Sequence, residues 1–93
     1  MFQSFQVTQN HINAGHKSDI RLCPIALAIN GELKPEYRAW IGMWGMHITE
    51  GDKRVFSEQL PTLVRRFRYD FDNYNHVTPI SFTLSIPAKY VKD

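Results

Sequence analysis

The chain reads as an α+β protein, a mainly antiparallel sheet with helices on one face, in the order β-α-α-β-β-α-β. Three stretches predict it. Residues 79–86 alternate Ile80, Phe82, Leu84 and Ile86 with Ser81, Thr83 and Ser85, as a strand does with one face on a core and one in water. Residues 60–72 set Leu60, Leu63, Val64, Phe67 and Phe71 along one helical stripe. Ile25-Ala26-Leu27-Ala28-Ile29 is apolar all round, which suits a short helix buried on every side. A ferredoxin-like βαββαβ arrangement is the nearest common architecture, with the two early helices filling one crossover.

Each element has a local cause. Residues 2–7 suit a first strand with Phe5 and Val7 on one face and Ser4 and Gln6 on the other. Thr8 fits a helix N-cap, and Val7 and Ile12 stand at the spacing of a hydrophobic staple. Gly15 supplies a left-handed stop, so the first helix covers 9–14. A connection over 16–22 turns near Ser18-Asp19. Pro24 opens the second helix, because a missing N–H costs nothing at the first helical position. Cys23 is then its cap residue, and Asn30-Gly31 ends it. Residues 37–49 read as one strand, bulged or bent at Gly42 and Gly45. Residues 50–53 form a hairpin turn and 54–57 return as a short strand. Pro61 lies in the first turn of the third helix, and Pro79 and Pro87 bracket the last strand.

Composition narrows the function. The 93 residues fit one domain, and 43% hydrophobic with 22% charged residues is ordinary globular usage, so disorder and a coiled coil are not expected. No apolar run approaches the roughly 20 residues of a membrane-spanning helix. Residues 1–6 carry neither a basic start nor an apolar stretch, so no secretory signal is expected there. A single cysteine excludes an intramolecular disulfide framework and a multi-cysteine zinc site. So small a domain buries only about 60–70% of the surface its unfolded chain exposes. Six Phe, four Tyr and two Trp offset this with large rings, some of which are expected at a subunit interface.

Three stretches together resemble a known family. They are Val7-Thr8-Gln9-Asn10-His11-Ile12-Asn13-Ala14-Gly15, Cys23-Pro24-Ile25-Ala26-Leu27-Ala28 and Val77-Thr78-Pro79-Ile80-Ser81-Phe82-Thr83-Leu84. They are similar to a family of small uncharacterised bacteriophage and bacterial proteins with a V-T-x-x-H-I-x-x-G start and a C-P-[IV]-A-L-A motif. Leu60-Pro61 matches the start of that family's late helix. Relatives carry a second cysteine shortly before the Cys-Pro pair, where Ile20 stands here, which removes any C-x-x-C chemistry. The resemblance implies a phage-type accessory protein in the cytoplasm of a bacterial host cell. It implies no reaction and no cofactor.

The chemistry-bearing residues give no catalytic set. Cys23 at a helix N-terminus could be an activated thiol, but a small, buried cap residue is the plainer reading. His11, His16 and Cys23 are spaced H-x4-H and H-x6-C, which matches neither a one-face helical pair nor a zinc finger. They are read as capping or surface groups. Asp70 and Asp72 are too close along a helix to share a face. No Ser-His-Asp set, phosphate loop or dinucleotide fingerprint is present, so an enzyme is not expected. Arg65, Arg66 and Arg68 form a basic cluster. Arg66 and Arg68 each have an aspartate four residues on, and Arg65 can stack on Tyr69, so a self-neutralised helix face is expected.

The informative stretch is 37–49. One parity holds Trp40, Trp44, Met46 and Ile48, and the other holds Tyr37, Ala39, Ile41 and Met43. Both are apolar, so helices covering one face leave large side chains on the other, unless a change of parity at Gly42 or Gly45 draws them into the core. Trp, Tyr, Met and Arg are enriched at interfaces. The candidate binding residues are therefore Tyr37, Arg38, Trp40, Trp44, Met46 and His47. The expected partners are a second copy of the chain or a host protein, with no membrane and no metal. The alternative is a single-stranded nucleic acid or a small nucleotide stacked on an aromatic sheet with Arg38, Arg54 and the arginine helix of Arg65, Arg66 and Arg68 beside it. A net charge of +2 is small for a chain that relies on phosphate contacts.

Overall fold

The computed structural model describes residues 2–92. Along the chain lie β1 (Gln3–Val7), α1 (Gln9–Ala14), α2 (Pro24–Asn30), β2 (Tyr37–Ile41), β3 (Gly45–Glu50), β4 (Lys53–Gln59), α3 (Thr62–Asp72), β5 (Ile80–Leu84) and a short 3-10 turn (Ala88–Tyr90). The class is the α+β one that the sequence predicts. The strands do not join in a single ferredoxin-like sheet. Among the described residues β1 pairs antiparallel with β5, and β2-β3-β4 form a separate antiparallel meander.

The difference begins at the predicted strand over 37–49. Thirteen residues of continuous strand would span about 43 Å, whereas the longest dimension of the molecule is 34 Å. The stretch folds back instead. Gly42 N–H donates to the Gly45 carbonyl at 2.8 Å, closing a tight hairpin between β2 and β3. A Cβ at Gly45 would lie 2.7 Å from the Glu58 carbonyl of β4, so only glycine lets the third strand approach. The second hairpin turns at Gly51, whose φ of +61° is left-handed.

α2 holds the two sheets together. Cys23 caps it, with Sγ accepting from Ala26 N–H at 3.4 Å. Pro24, Ile25, Ala26, Ala28 and Ile29 are all buried, and the helix touches both β1 and β2. Each large aliphatic side chain so buried stabilises by about 1.5–3 kcal/mol. The same core takes in Phe5, Val7, Ala39, Ile41, Met46, Ile48, Phe82 and Leu84 from the strands, and Val64, Phe67 and Phe71 from α3. The C-terminal segment closes it: Leu33 bridges Val91, Lys34 N–H donates to the Tyr90 carbonyl, and Tyr90 is buried.

The outer edge of β2 is sealed. Asn30 at the end of α2 accepts from Ala39 N–H at 2.7 Å and donates to the Ala39 carbonyl at 3.3 Å, as a neighbouring strand would. Ile41 N–H donates to the Ile20 carbonyl, and Tyr37 N–H to that of Lys34. The edge is thus closed to strand addition.

Two local expectations change. Thr8 caps α1 as predicted, and His11 Nδ1 returns a bond to Thr8 N–H at 3.0 Å, completing a capping box. Gly15 is not left-handed, its φ being −72°. It is glycine because a Cβ there would lie 2.6 Å from the Pro24 ring. On α3, Arg68 faces Asp72 at 3.8 Å as expected. Asp70 accepts from Asn75 rather than pairing with Arg66, and Arg65 leaves Tyr69 for Trp44. Asp72 also accepts from Ser18 N–H at 2.8 Å, which ties α3 to the α1–α2 connection.

Gly15→Ala is expected to cost about 1–3 kcal/mol through overpacking against Pro24. Asn30→Ala is expected to cost a similar amount, about 1–3 kcal/mol, by orphaning the buried Ala39 N–H. Urea unfolding followed by tryptophan fluorescence measures both.

Candidate functional site

Strand parity decides which side chains reach the surface of the meander. Ala39 pairs with Ile48 and Ile41 with Met46, and all four are buried. The alternate positions point away from the core. They form two rows across the sheet: Arg38, Thr49 and Arg54, then Trp40, His47 and Ser57. These six outward positions contain no carboxylate.

Trp40 is fixed on this face by two contacts. Its indole N–H donates to Thr49 Oγ1 on β3 at 2.8 Å. Its ring lies parallel to the His47 imidazole, tilted by 10° with centroids 6.1 Å apart. Burial, with Arg54 beside it, holds the His47 pKa below the ordinary imidazole value. The ring is therefore neutral at pH 7 and stacks without adding charge. Next to Trp40, an open groove of about 420 Å³ is lined by Arg21, Glu36, Tyr37, Arg38 and Thr49. Neither Arg38 nor Arg54 has an ion-pair partner among the described residues.

The second tryptophan stands elsewhere. Trp44 and Met43 occupy the tip of the β2–β3 hairpin and are 66% and 68% exposed. Trp44 leans toward α3, where the Arg65 guanidinium lies 5.4 Å from the ring centre. Leu60 N–H donates to the Trp44 carbonyl at 3.1 Å and anchors the tip to the β4–α3 junction. Beside it, a groove of about 460 Å³ opens between the end of β4, the start of α3 and the end of β5.

The structure thus divides the predicted site. Arg38, Trp40 and His47 come together on the outer face. Trp44 forms a separate tip. Tyr37 is half-buried, its ring edge-on to Tyr90 with centroids 4.8 Å apart, while it also lines the groove. Met46 is not a surface residue: at 2% exposure it belongs to the core, because the hairpin reverses the parity that would have placed it beside Trp40. Thr49 and Arg65 were not among the candidates. Thr49 is found only through the β2–β3 register and Arg65 only through the approach of α3 to the hairpin, so neither leaves a signal in sequence spacing.

Cys23 is sealed, at 1% exposure. Burial pushes its thiol pKa up, outweighing the Ala26 N–H that favours the thiolate. Among the described residues no three His, Cys, Asp or Glu side chains gather as a metal site, and no helix is long and apolar enough to cross a membrane. Comparison with protein-family models, with curated proteins and with solved structures found no match.

Cys23 is expected to resist a thiol reagent in the native state and to react fully in urea; rapid native labelling would contradict its burial. His47 gives a pH prediction. Its folded pKa lies below its unfolded one, so the unfolded chain takes up the proton first. Stability is full above the unfolded pKa and declines as pH falls below about 6.5 toward the folded pKa. His47→Gln should flatten that decline in urea titrations at stepped pH, and an NMR titration should place the His47 midpoint below that of an unfolded peptide.

Proposed function

We propose that this chain is a small non-enzymatic binding protein that acts by covering a surface, with the β2–β3 hairpin tip as its protein contact and a second copy of the chain as the first partner. The observation that carries this is the exposure of Met43 and Trp44 together, two large side chains two-thirds in water on a tip pinned by Leu60 and flanked by Arg65. Trp, Met and Arg are the residue types over-represented at protein contacts, and a Trp anchor set beside Arg has the makeup of an interface hot spot. The tip is held in place by backbone hydrogen bonds at both Gly42 and Trp44, so little conformational freedom remains to be lost on association. The sealed edge of β2 argues against pairing by strand addition there and favours a contact through side chains. The resemblance to phage-type accessory proteins supplies the biological setting of this proposal, with a host protein as the partner of a monomeric form.

The test is oligomeric state. Light scattering after size exclusion should give a mass above 10.9 kDa at high micromolar concentration. Trp44→Ala should shift the chain to monomer, weakening association about tenfold or more, while its thermal unfolding changes little because the ring is not in the core. A wild-type monomer at that concentration removes the self-association reading. Association unaltered in Trp44→Ala removes the tip.

A further inference from the structure

We infer that the outer face of the β2-β3-β4 meander is a separate binding site for single-stranded nucleic acid, with Trp40 as the stacking platform and Arg38 and Arg54 as the phosphate contacts. The inference does not rest on the hairpin tip, since it uses different residues on a different surface.

Charge complementarity selects the occupant. The outward positions Arg38, Trp40, His47, Thr49, Arg54 and Ser57 combine two cations, two parallel rings and two hydroxyls without an acid. A protein contact of ordinary composition would not require that one-sided balance. A polyanion with flat, weakly polar bases meets it from both sides, because phosphates answer the guanidiniums and bases answer the rings. Neither arginine is neutralised by an ion pair among the described residues, so both are available to exchange counterions for phosphates.

The arrangement also favours a strand over a single nucleotide. Arg38 on β2 and Arg54 on β4 both neighbour Thr49 on β3, which separates their backbones by two strand spacings, about 10 Å. Successive phosphates of an extended strand can reach one each. Trp40 lies in the adjoining row. Its indole N–H is already held by Thr49 and its ring is already set parallel to His47, so the platform exists before any base arrives. The groove beside it, about 420 Å³ and bordered by Arg21 and Arg38, has room for an unstacked base. Glu36 lines the groove beside Arg38, and Glu50 stands across the ladder from Tyr37, so the acids flank the Tyr37 end and not the row of Trp40 and His47.

The net charge of the chain, +2, sets the expected strength. Few phosphates are contacted, so binding is modest at physiological salt and steepens as salt is lowered. The small overall charge weakens a whole-surface electrostatic grip and leaves the local face to carry recognition.

The experiment uses the full chain and oligonucleotides of about ten nucleotides, oligo-dT and oligo-rU in parallel arms. Fluorescence anisotropy of a labelled strand is read across a salt series. Binding that weakens with salt, at a log–log slope near −0.7 per phosphate contacted, is expected. Arg38→Ala and Arg54→Ala should each lower that slope by about 0.7 and weaken binding severalfold. Trp40→Ala should weaken it by about fivefold to a hundredfold, the usual range for loss of a base stack. Arg66→Ala removes one positive charge from α3, outside the meander, and should have little effect. Circular dichroism of each variant separates loss of the face from loss of the fold. No salt-sensitive binding by folded wild-type protein overturns the inference. So does an Arg66→Ala effect as large as that of Arg38→Ala, which would mean a diffuse charge effect. A mononucleotide that binds as tightly as the strand overturns the assignment to a strand.

Discussion

α2 is the contact on which the arrangement depends. The β1-β5 pair and the β2-β3-β4 meander share no hydrogen-bonded ladder among the described residues, so backbone pairing does not fix one relative to the other. The buried helix does. It packs on β1 and β2 at once, presents apolar side chains around most of its circumference, and ends in Asn30, which bonds to both backbone groups of Ala39. Its entry is fixed as tightly, because the Pro24 ring occupies the space that a side chain at residue 15 would need. Once the helix is seated, the inner face of the meander must turn toward it, and the outer face is committed to solvent.

That commitment separates stability from function. Ala39, Ile41, Met46 and Ile48 bury the inner face, and the exposed side chains opposite them are released from packing. The two tryptophans are placed differently, Trp40 half-buried and Trp44 two-thirds in water. Trp40 is restrained by Thr49 and His47 and forms part of a flat, preorganised platform. Trp44 sits on a hairpin tip with a guanidinium over its ring and most of its surface uncovered. In the readings proposed above, the first would stack a planar base between cations and the second would insert into a pocket of another protein. The β2–β3 hairpin therefore contributes to two chemically distinct surfaces, one completed by Arg54 of β4 and the other by Arg65 of α3.

Much of the fold was legible because its causes are local. The Thr8 cap, the Cys23-Pro24 start of α2, the stripe of Leu60, Val64, Phe67 and Phe71, from which Leu63 alone turns out to solvent, and the alternation through Phe82 and Leu84 all act within a few residues of one another. The stretch 37–49 was legible as strand and as rich in aromatics, but not as a hairpin. Periodicity cannot distinguish one long strand from two short ones when both parities are apolar. The reversal at Gly42 changed the face of the β3 residues after it, which is why Met46 passed from candidate contact to core while His47, of the opposite parity to Trp40 in a continuous strand, came to lie beside it.

The sequence by itself determined the class, the positions of the helices and the presence of a basic, aromatic segment in the middle of the chain, since propensity, capping and periodicity operate over a turn or a few residues. Only the tertiary structure decided which of those side chains share a surface. The approach of β4 to Gly45, the lean of Trp44 onto α3 and the placing of Arg38 and Arg54 on either side of Thr49 arise from contacts between residues distant along the chain, where register and packing, rather than spacing, set the neighbours.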